Sequence, residues 1–348
     1  MPKQALLTTP GWTDQNRSRL EQLIHTGAGK HLPVIFDFDN TIVAGDIGEA
    51  TFAWLVRSGA LAANRLPESL CPPLSLADGK RVTLASVVDL TEYYEAFLMP
   101  TMHGPKDPAP MANSYLWAVE VMEGLNLNEV VQATRQVMEL AQRTPGSVLA
   151  VTPGKTGYPL PHFYPEIVEL IAVLIRHRFA VWIVSASNVW SVRWMVMHGL
   201  NPRLRQLGIR SGLPPKRVRG VSTLLADRRG GLHKDAVLVR SHPDYARLED
   251  PALRPFRLTR LLQYPPPVYS GKVATIWDEI GQRPYLCAGD SPGDHAMLSF
   301  SEHRLWIARL EKPAYQQATR KLIRQTGESG WMIQPTRSRE APGFLPDA

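Results

Sequence analysis

The sequence predicts an α/β protein built on a doubly wound parallel sheet. Short apolar runs stop abruptly in polar residues, helical patterns alternate with them, and the unusual polar residues collect at the carboxyl ends of those runs. The runs are Pro33 to Phe38 (PVIFDF), Val181 to Ser185 (VWIVS) and Tyr285 to Gly289 (YLCAG), each read as a strand buried on both faces. Between the last two, a lysine at position 272 opens a helix over Val273 to Ile280. Before the second run, Tyr164 to Arg176 carries Pro165 where a first helical turn accepts it, then apolar residues at three- and four-residue spacings.

The first and second strands lie well over a hundred residues apart, far more than a crossover needs. Helical candidates at 46–60, 84–98, 113–123 and 127–143 fill the gap, punctuated by turns at Cys71-Pro72-Pro73, Met99-Pro100, Gly104-Pro105 and Asp107-Pro108. The expected organisation is a core of 1–45 and 160–348 with a helical cap of 46–159 inserted into it. A second insertion, about 203–265, carries 14 Lys and Arg against 5 acids. The run Lys216-Arg217-Val218-Arg219 within it reads as a solvated surface hairpin, and the final SREAPGFLPDA as a frayed tail.

The chain has 348 residues, 44% hydrophobic and 20% charged, so it can bury a sizeable core. Its net charge of +7 and pI near 9.5 admit nucleic acid, acidic membranes or phosphorylated small molecules as partners. Cys71 and Cys287 form no disulfide framework or metal spacing and read as small core residues. The N-terminus offers only Ala5 to Leu7 as an apolar stretch, and the most apolar segment, Ile167 to Val184, is broken by Glu169, Arg176, His177 and Arg178. A soluble, cytoplasmic protein without a membrane span is the expectation. Gly27-Ala28-Gly29-Lys30 precedes the first strand and lacks phosphate-loop spacing, so it reads as a turn; His25, His31, His162 and His233 have no partner at metal spacing.

The chemistry concentrates at the strand ends. Asp37 and Asp39 in DFDNT stand two residues apart, so in extended chain both carboxylates face one pocket; a surface turn is the alternative. Gly289-Asp290-Ser291-Pro292-Gly293-Asp294 brings two more carboxylates to another strand end. Four carboxylates in one place are best explained by a hard divalent cation such as Mg²⁺, which takes oxygen ligands. Ser185 in VSAS sits where a sheet ligand would lie or where the next helix would be capped.

In this order, DFDNT, Ser185, Lys272 and GDSPGD resemble the four motifs of the haloacid dehalogenase (HAD) superfamily of phosphatases, over about 30–45 and 160–310. The resemblance implies an HAD-like Rossmannoid core and a Mg²⁺-dependent phosphomonoesterase. It makes Asp37 the nucleophile that becomes an aspartyl phosphate and Asp39 the general acid and then base. It assigns the metal to Asp37, the Asp39 backbone carbonyl and Asp290, with Asp294 supporting the metal and Lys272. Ser185 and Lys272 would bind the phosphoryl oxygens and Thr41 would steady the loop. A halide leaves unprotonated, so Asp39 favours phosphate over halide chemistry.

The inserted helices resemble the cap of the phosphoserine phosphatase type, and Asp37 to Leu61 resembles phosphorylcholine phosphatase relatives. Asp46 falls where the former carry an acid facing the substrate's amino group, or it caps a helix. A cap segment with 12 acids against 8 bases suits a substrate with a cationic end, and Trp54, Tyr93, Tyr94, Phe97, Tyr115 and Trp117 could box a quaternary amine or form core. Phosphoserine, phosphocholine and phosphoethanolamine are the metabolites this implies. The competing readings are a non-enzymatic nucleic-acid or partner-binding module on the basic insertion, and a phosphatase of polynucleotide ends; the intact catalytic set makes nucleic acid an unlikely partner.

Overall fold

The computed structural model of the chain describes residues 5–76, 79–102, 113–155, 157–337 and 341–346, and of 98–102 only the backbone. The turns expected at Gly104-Pro105 and Asp107-Pro108 lie outside these residues.

Seven strands form the central sheet: β1 Pro33–Phe36, β2 Ala180–Asn188, β3 Val218–Val221, β4 Leu286–Gly289, β5 His303–Arg309, β6 Trp331–Arg337 and β7 Gly343–Phe344. Their order is β7-β6-β5-β4-β1-β2-β3, parallel throughout except for β7, which runs antiparallel to β6. The chain winds outward from β1 to one side as far as β3, then returns to the other side at β4. The carboxyl ends of β1 and β4 therefore flank the point where the winding reverses, the place where sheets of this kind bind ligands.

The period of two is plain on β1. Val34 and Phe36 pack into the larger apolar cluster on one face and Ile35 into a smaller one on the other, with Val184, Ile276, Cys287, Met297, Trp306 and Trp331. Both faces are covered, which is why PVIF reads as an unbroken apolar run. Cys71 and Cys287 are buried and unpaired, as expected of core residues. Among the described residues no helix is long and apolar enough to cross a membrane.

Between β1 and β2 lie helices Ile47–Arg57, Leu90–Met102, Ser114–Glu120 and Leu127–Arg143. Asp46, Asn113 and Asn126 cap three of them, accepting from Glu49, Leu116 and Asn128 backbone amides respectively. Met99-Pro100 does not turn the chain: the helix from Leu90 runs through Pro100 to Met102.

Three further expectations are corrected. Val218 and Arg219 are not a solvated hairpin but part of edge strand β3, and Arg219 is buried because its guanidinium meets Glu279 Oε2 at 2.6 Å. The tail is not frayed throughout: Phe344 is buried against Trp12 and Tyr164, with ring centroids 5.0 and 5.1 Å away. Residues 338–340 and 347–348 of that tail lie outside the described residues. Ser185 does not cap the helix after β2; the strand continues to Asn188, whose side chain accepts from the Ser191 amide at 2.9 Å.

The 203–265 segment supplies β3 and a separate three-stranded sheet of Thr223–Ala226, Leu232–His233 and Arg257–Leu262. It is tied to the helix Val189–Met195 by a buried, two-pronged ion pair. Arg193 Nη1 donates to Asp235 Oδ1 at 3.0 Å and Nη2 to Oδ2 at 2.5 Å, and Tyr245 Oη adds a 2.6 Å bond to the same carboxylate. Burial raises the Asp235 carboxyl, but Arg193 and the two hydrogen-bond donors hold it below the usual carboxylate range. Asp235→Ala leaves the Arg193 charge buried without a partner, and should cost about 3–5 kcal/mol of stability in urea denaturation.

Candidate active site

The loop after β1 is fixed by its backbone. The Asp37 amide donates to Ala288 O at 2.9 Å, anchoring it to β4, and Asn40 takes a left-handed conformation with φ of 55°. Asparagine tolerates that region, and here its amide donates to Gly45 O at 3.0 Å while its Oδ1 accepts from the Gly45 amide at 3.2 Å. Ile42 N bonds back to Phe38 O at 2.8 Å, closing a turn that presents Asp37 and Asp39 to one cavity of about 260 Å³.

Lys272, near the start of the helix Ser270–Ile280, reaches the floor of this cavity. Its Nζ donates to Asp37 Oδ1 and to Asp294 Oδ1, each at 2.6 Å. Thr41 Oγ1 donates to the other Asp37 oxygen at 3.1 Å. Asp294 folds back over β4, its Oδ2 accepting from the amides of Asp290 at 3.1 Å and Ser291 at 3.2 Å. Gly289 makes room for this: a Cβ there would meet Asp294 Cβ at 2.6 Å.

Asp39 is gripped from two sides. Oδ1 accepts from the Ile47 amide at 2.7 Å, and Oδ2 accepts from Ser187 Oγ at 2.7 Å and Ser185 Oγ at 3.3 Å. Asp46 caps the helix through Glu49 N at 2.8 Å and also receives Ser187 Oγ at 3.3 Å, so it is both cap and cavity lining. The sequence-predicted residues Asp37, Asp39, Asp46, Ser185, Lys272, Asp290 and Asp294 all line the one cavity, with Thr41 behind Asp37.

So many acids in one buried place raise one another's proton affinity. Burial, with Lys272 opposing, pushes Asp37 up to about 8, and burial against the pull of Arg309 pushes Asp290 up to about 7. Asp39 is held well above the carboxylate range by burial, Asp46 and Asp37. Burial lowers the Lys272 ammonium, but Asp294 and Asp37 more than offset it and the net shift is upward. Asp37, Asp290 and Asp294 each place an oxygen within 4.8 Å of the others. An all-oxygen set, over-supplied with negative charge, fits a hard divalent cation.

Several residues of the site were not identified from the sequence. Ser187 lies on β2, two residues past Ser185 and on the same face. Arg309 ends β5, and its Nη2 stands 2.6 Å from Asp290 Oδ2. The signal was present: Leu305 to Ala308 is an apolar run ending in a charge, as in the other strands. Glu49, Glu95, Tyr158, Tyr269 and Tyr315 also line the cavity. Of the six aromatics considered for a cationic box, only Tyr115 does so. Tyr93, Tyr94, Phe97 and Trp117 pack on one another and Trp54 packs against the core.

The order of the four motifs around a switch point of a parallel sheet, and their meeting in one acidic cavity with a buried lysine, match the arrangement expected of a phosphatase of the HAD superfamily. The chain is similar to several known proteins. The chain is 26% identical over 327 residues to the phosphorylcholine phosphatase of Pseudomonas aeruginosa, covering 90% of this chain and 84% of that one. Among solved structures, a conserved protein of unknown function from Anaerococcus prevotii shares 18% identity with a TM-score of 0.68, over 99% of this chain and 98% of that one, a likeness of fold. An HAD family hydrolase from Salmonella enterica serovar Typhi matches at 13% identity with a TM-score of 0.40, covering 89% and 77%. No family model matches the chain.

The Ser187 hydroxyl favours ionised Asp39. Ser187→Ala should therefore raise the proton affinity of Asp39 and move its carboxyl titration, followed by NMR, toward higher pH; an unmoved titration in a folded variant would show that Ser187 does not act on Asp39.

Proposed function

We propose that this phosphatase hydrolyses a small phosphomonoester through an aspartyl-phosphate intermediate, with Mg²⁺ as cofactor and the helical segment 46–159 as its cap. The observation that carries the reading is Lys272, bonded at 2.6 Å to both Asp37 and Asp294 at the carboxyl edge of the sheet. A carboxylate attacks a phosphate dianion poorly because like charges repel, and a fixed ammonium beside the nucleophile offsets that repulsion. In this reading an Asp37 oxygen forms the new bond to phosphorus as the ester oxygen departs. Thr41 holds the other Asp37 oxygen in place. Asp39, which keeps its proton well above the usual carboxylate range, gives that proton to the leaving alkoxide and then takes one from the water that hydrolyses the acyl phosphate. Ser185 and Lys272 donate to the phosphoryl oxygens. Asp37, Asp290 and the Asp39 carbonyl would hold Mg²⁺, steadied by Asp294, and the ion would supply positive charge to the phosphoryl group.

The remaining lining of the cavity suggests the other end of the substrate. Asp46, Glu49 and Glu95 stand there with Tyr115, Tyr158 and Tyr269, an acidic and aromatic lining that suits an ammonium group. Tyr94 Oη donates to Glu49 Oε1 at 3.0 Å and so fixes one of these acids. A phosphorylated amino alcohol such as phosphocholine or phosphoethanolamine, or phosphoserine, matches both ends, and the relative named above acts on phosphorylcholine. No residue of the basic 203–265 segment lines the cavity, which supports a small molecule over a polynucleotide end.

Purified protein should release phosphate from p-nitrophenyl phosphate only with Mg²⁺, and lose that activity in EDTA. Asp37→Asn should lower kcat/KM by at least about 10³-fold; full activity in that variant would sink the mechanism. In a phosphate-release screen over phosphocholine, phosphoethanolamine, phosphoserine, sugar phosphates and nucleotides, the amines should lead. Glu49→Gln should raise KM for the preferred amine roughly tenfold while leaving p-nitrophenyl phosphate nearly unaffected.

A further inference from the structure

We propose that Arg309 is a further anion-binding residue of this site, supplying with Lys272 the second fixed positive charge that a phosphoryl dianion meets. The proposal rests on the phosphatase reading above. Arg309 is the last residue of β5, beside the strand end that carries Asp290, and it lines the same cavity as Asp37, Ser185 and Lys272. The residue is 8% exposed, so its charge is held in place by the fold and turned toward the cavity rather than solvent.

Its tie to Asp290 does not consume the guanidinium. Nη2 stands 2.6 Å from Asp290 Oδ2, yet that oxygen has no aligned hydrogen bond and Arg309 Nε has no acceptor. The contrast is Arg193, whose Nε is likewise unpaired but which grips Asp235 with both terminal nitrogens, where Arg309 meets Asp290 through one. Arg309 also lies over the Tyr315 ring, 5.4 Å from its centroid, which orients the planar fork. A buried, oriented guanidinium with donors left over matches the paired oxygens of a phosphoryl group.

Charge balance points the same way. Asp37, Asp290 and Asp294 carry three negative charges when ionised, against two positive charges on Lys272 and Arg309. A divalent cation makes this group net positive by one, and a phosphoryl dianion then brings it to minus one. Without Arg309 these groups and the cation would sum to zero before the dianion arrived, and their net attraction for it would be lost. If Arg309 served only to orient Asp290, its removal would weaken the metal. If it serves the anion, its removal weakens phosphate and leaves the divalent cation bound as tightly or more tightly, because a repelling charge has gone.

Calorimetric titrations with Mg²⁺ alone, and with inorganic phosphate at saturating Mg²⁺, separate these cases. Arg309→Met should weaken phosphate roughly 10- to 100-fold with Mg²⁺ binding undiminished, and Arg309→Lys should bind phosphate more tightly than Arg309→Met. In the wild-type chain, the arginine Nε–H resonance that disappears in Arg309→Lys should shift when phosphate is added, a measurement that needs no folded Met variant. Unchanged phosphate affinity in Arg309→Met, parallel loss of Mg²⁺ and phosphate, or an unshifted resonance would each overturn the proposal. A wild-type chain that bound no phosphate would overturn the reading beneath it as well.

Discussion

The bond pair from Lys272 to Asp37 and Asp294 is the interaction on which the site depends. The carboxylates at the ends of β1 and β4 repel one another in a buried place where water cannot screen them, and burial raises the proton affinity of Asp37 and Asp290. One ammonium shared by two of them holds both in position without saturating either. The rest of the local structure serves this arrangement. The Asp37 amide is pinned to β4, Gly289 clears the space into which Asp294 folds, and the helix Ser270–Ile280 delivers Lys272 from below.

The sheet topology explains why these groups meet. Winding outward from β1 and returning at β4 leaves two adjacent strand ends whose following loops part in opposite directions. A cavity opens between them. The residues after β1, β2, β4 and β5 thus converge although they lie as much as 272 positions apart, between Asp37 and Arg309. The residues between β1 and β2 add further acids and tyrosines to the lining, so the buried cations Lys272 and Arg309 stand among an excess of carboxylates.

Much of this was legible in the sequence because the strands that carry the motifs are buried on both faces, and such strands announce themselves as apolar runs that end in polar residues. Asp37, Asp39, Ser185, Asp290 and Asp294 were found that way and Lys272 by its place in the order of motifs, and all six share the cavity. What escaped was set by long-range partners. Arg219 belongs to a charged run, and only Glu279, 60 positions on, makes it an edge-strand residue. Phe344 lies in a Pro- and Gly-containing tail, and only Trp12 and Tyr164 give it a place to bury. The aromatic residues could not be sorted into core and cavity, because helical spacing places them on a face without saying what that face meets. Tyr94 and Trp117 turned inward and Tyr115 toward the cavity, one helix supplying both outcomes for the last two.

Asp39 hangs between two parts of the chain: one carboxylate oxygen takes the first amide of the helix Ile47–Arg57, and the other takes hydroxyls from the end of β2. Both donors favour the ionised form, so the proton on Asp39 and the seating of that helix against the sheet are thermodynamically linked. Withdrawing the helix would take away the Ile47 amide but also Asp46 and part of the burial, which raise Asp39 more than that amide lowers it, so Asp39 would become a stronger acid; reseating the helix would make it hold its proton again. The Asp39 carboxyl group is thus also a gauge of whether that helix is seated.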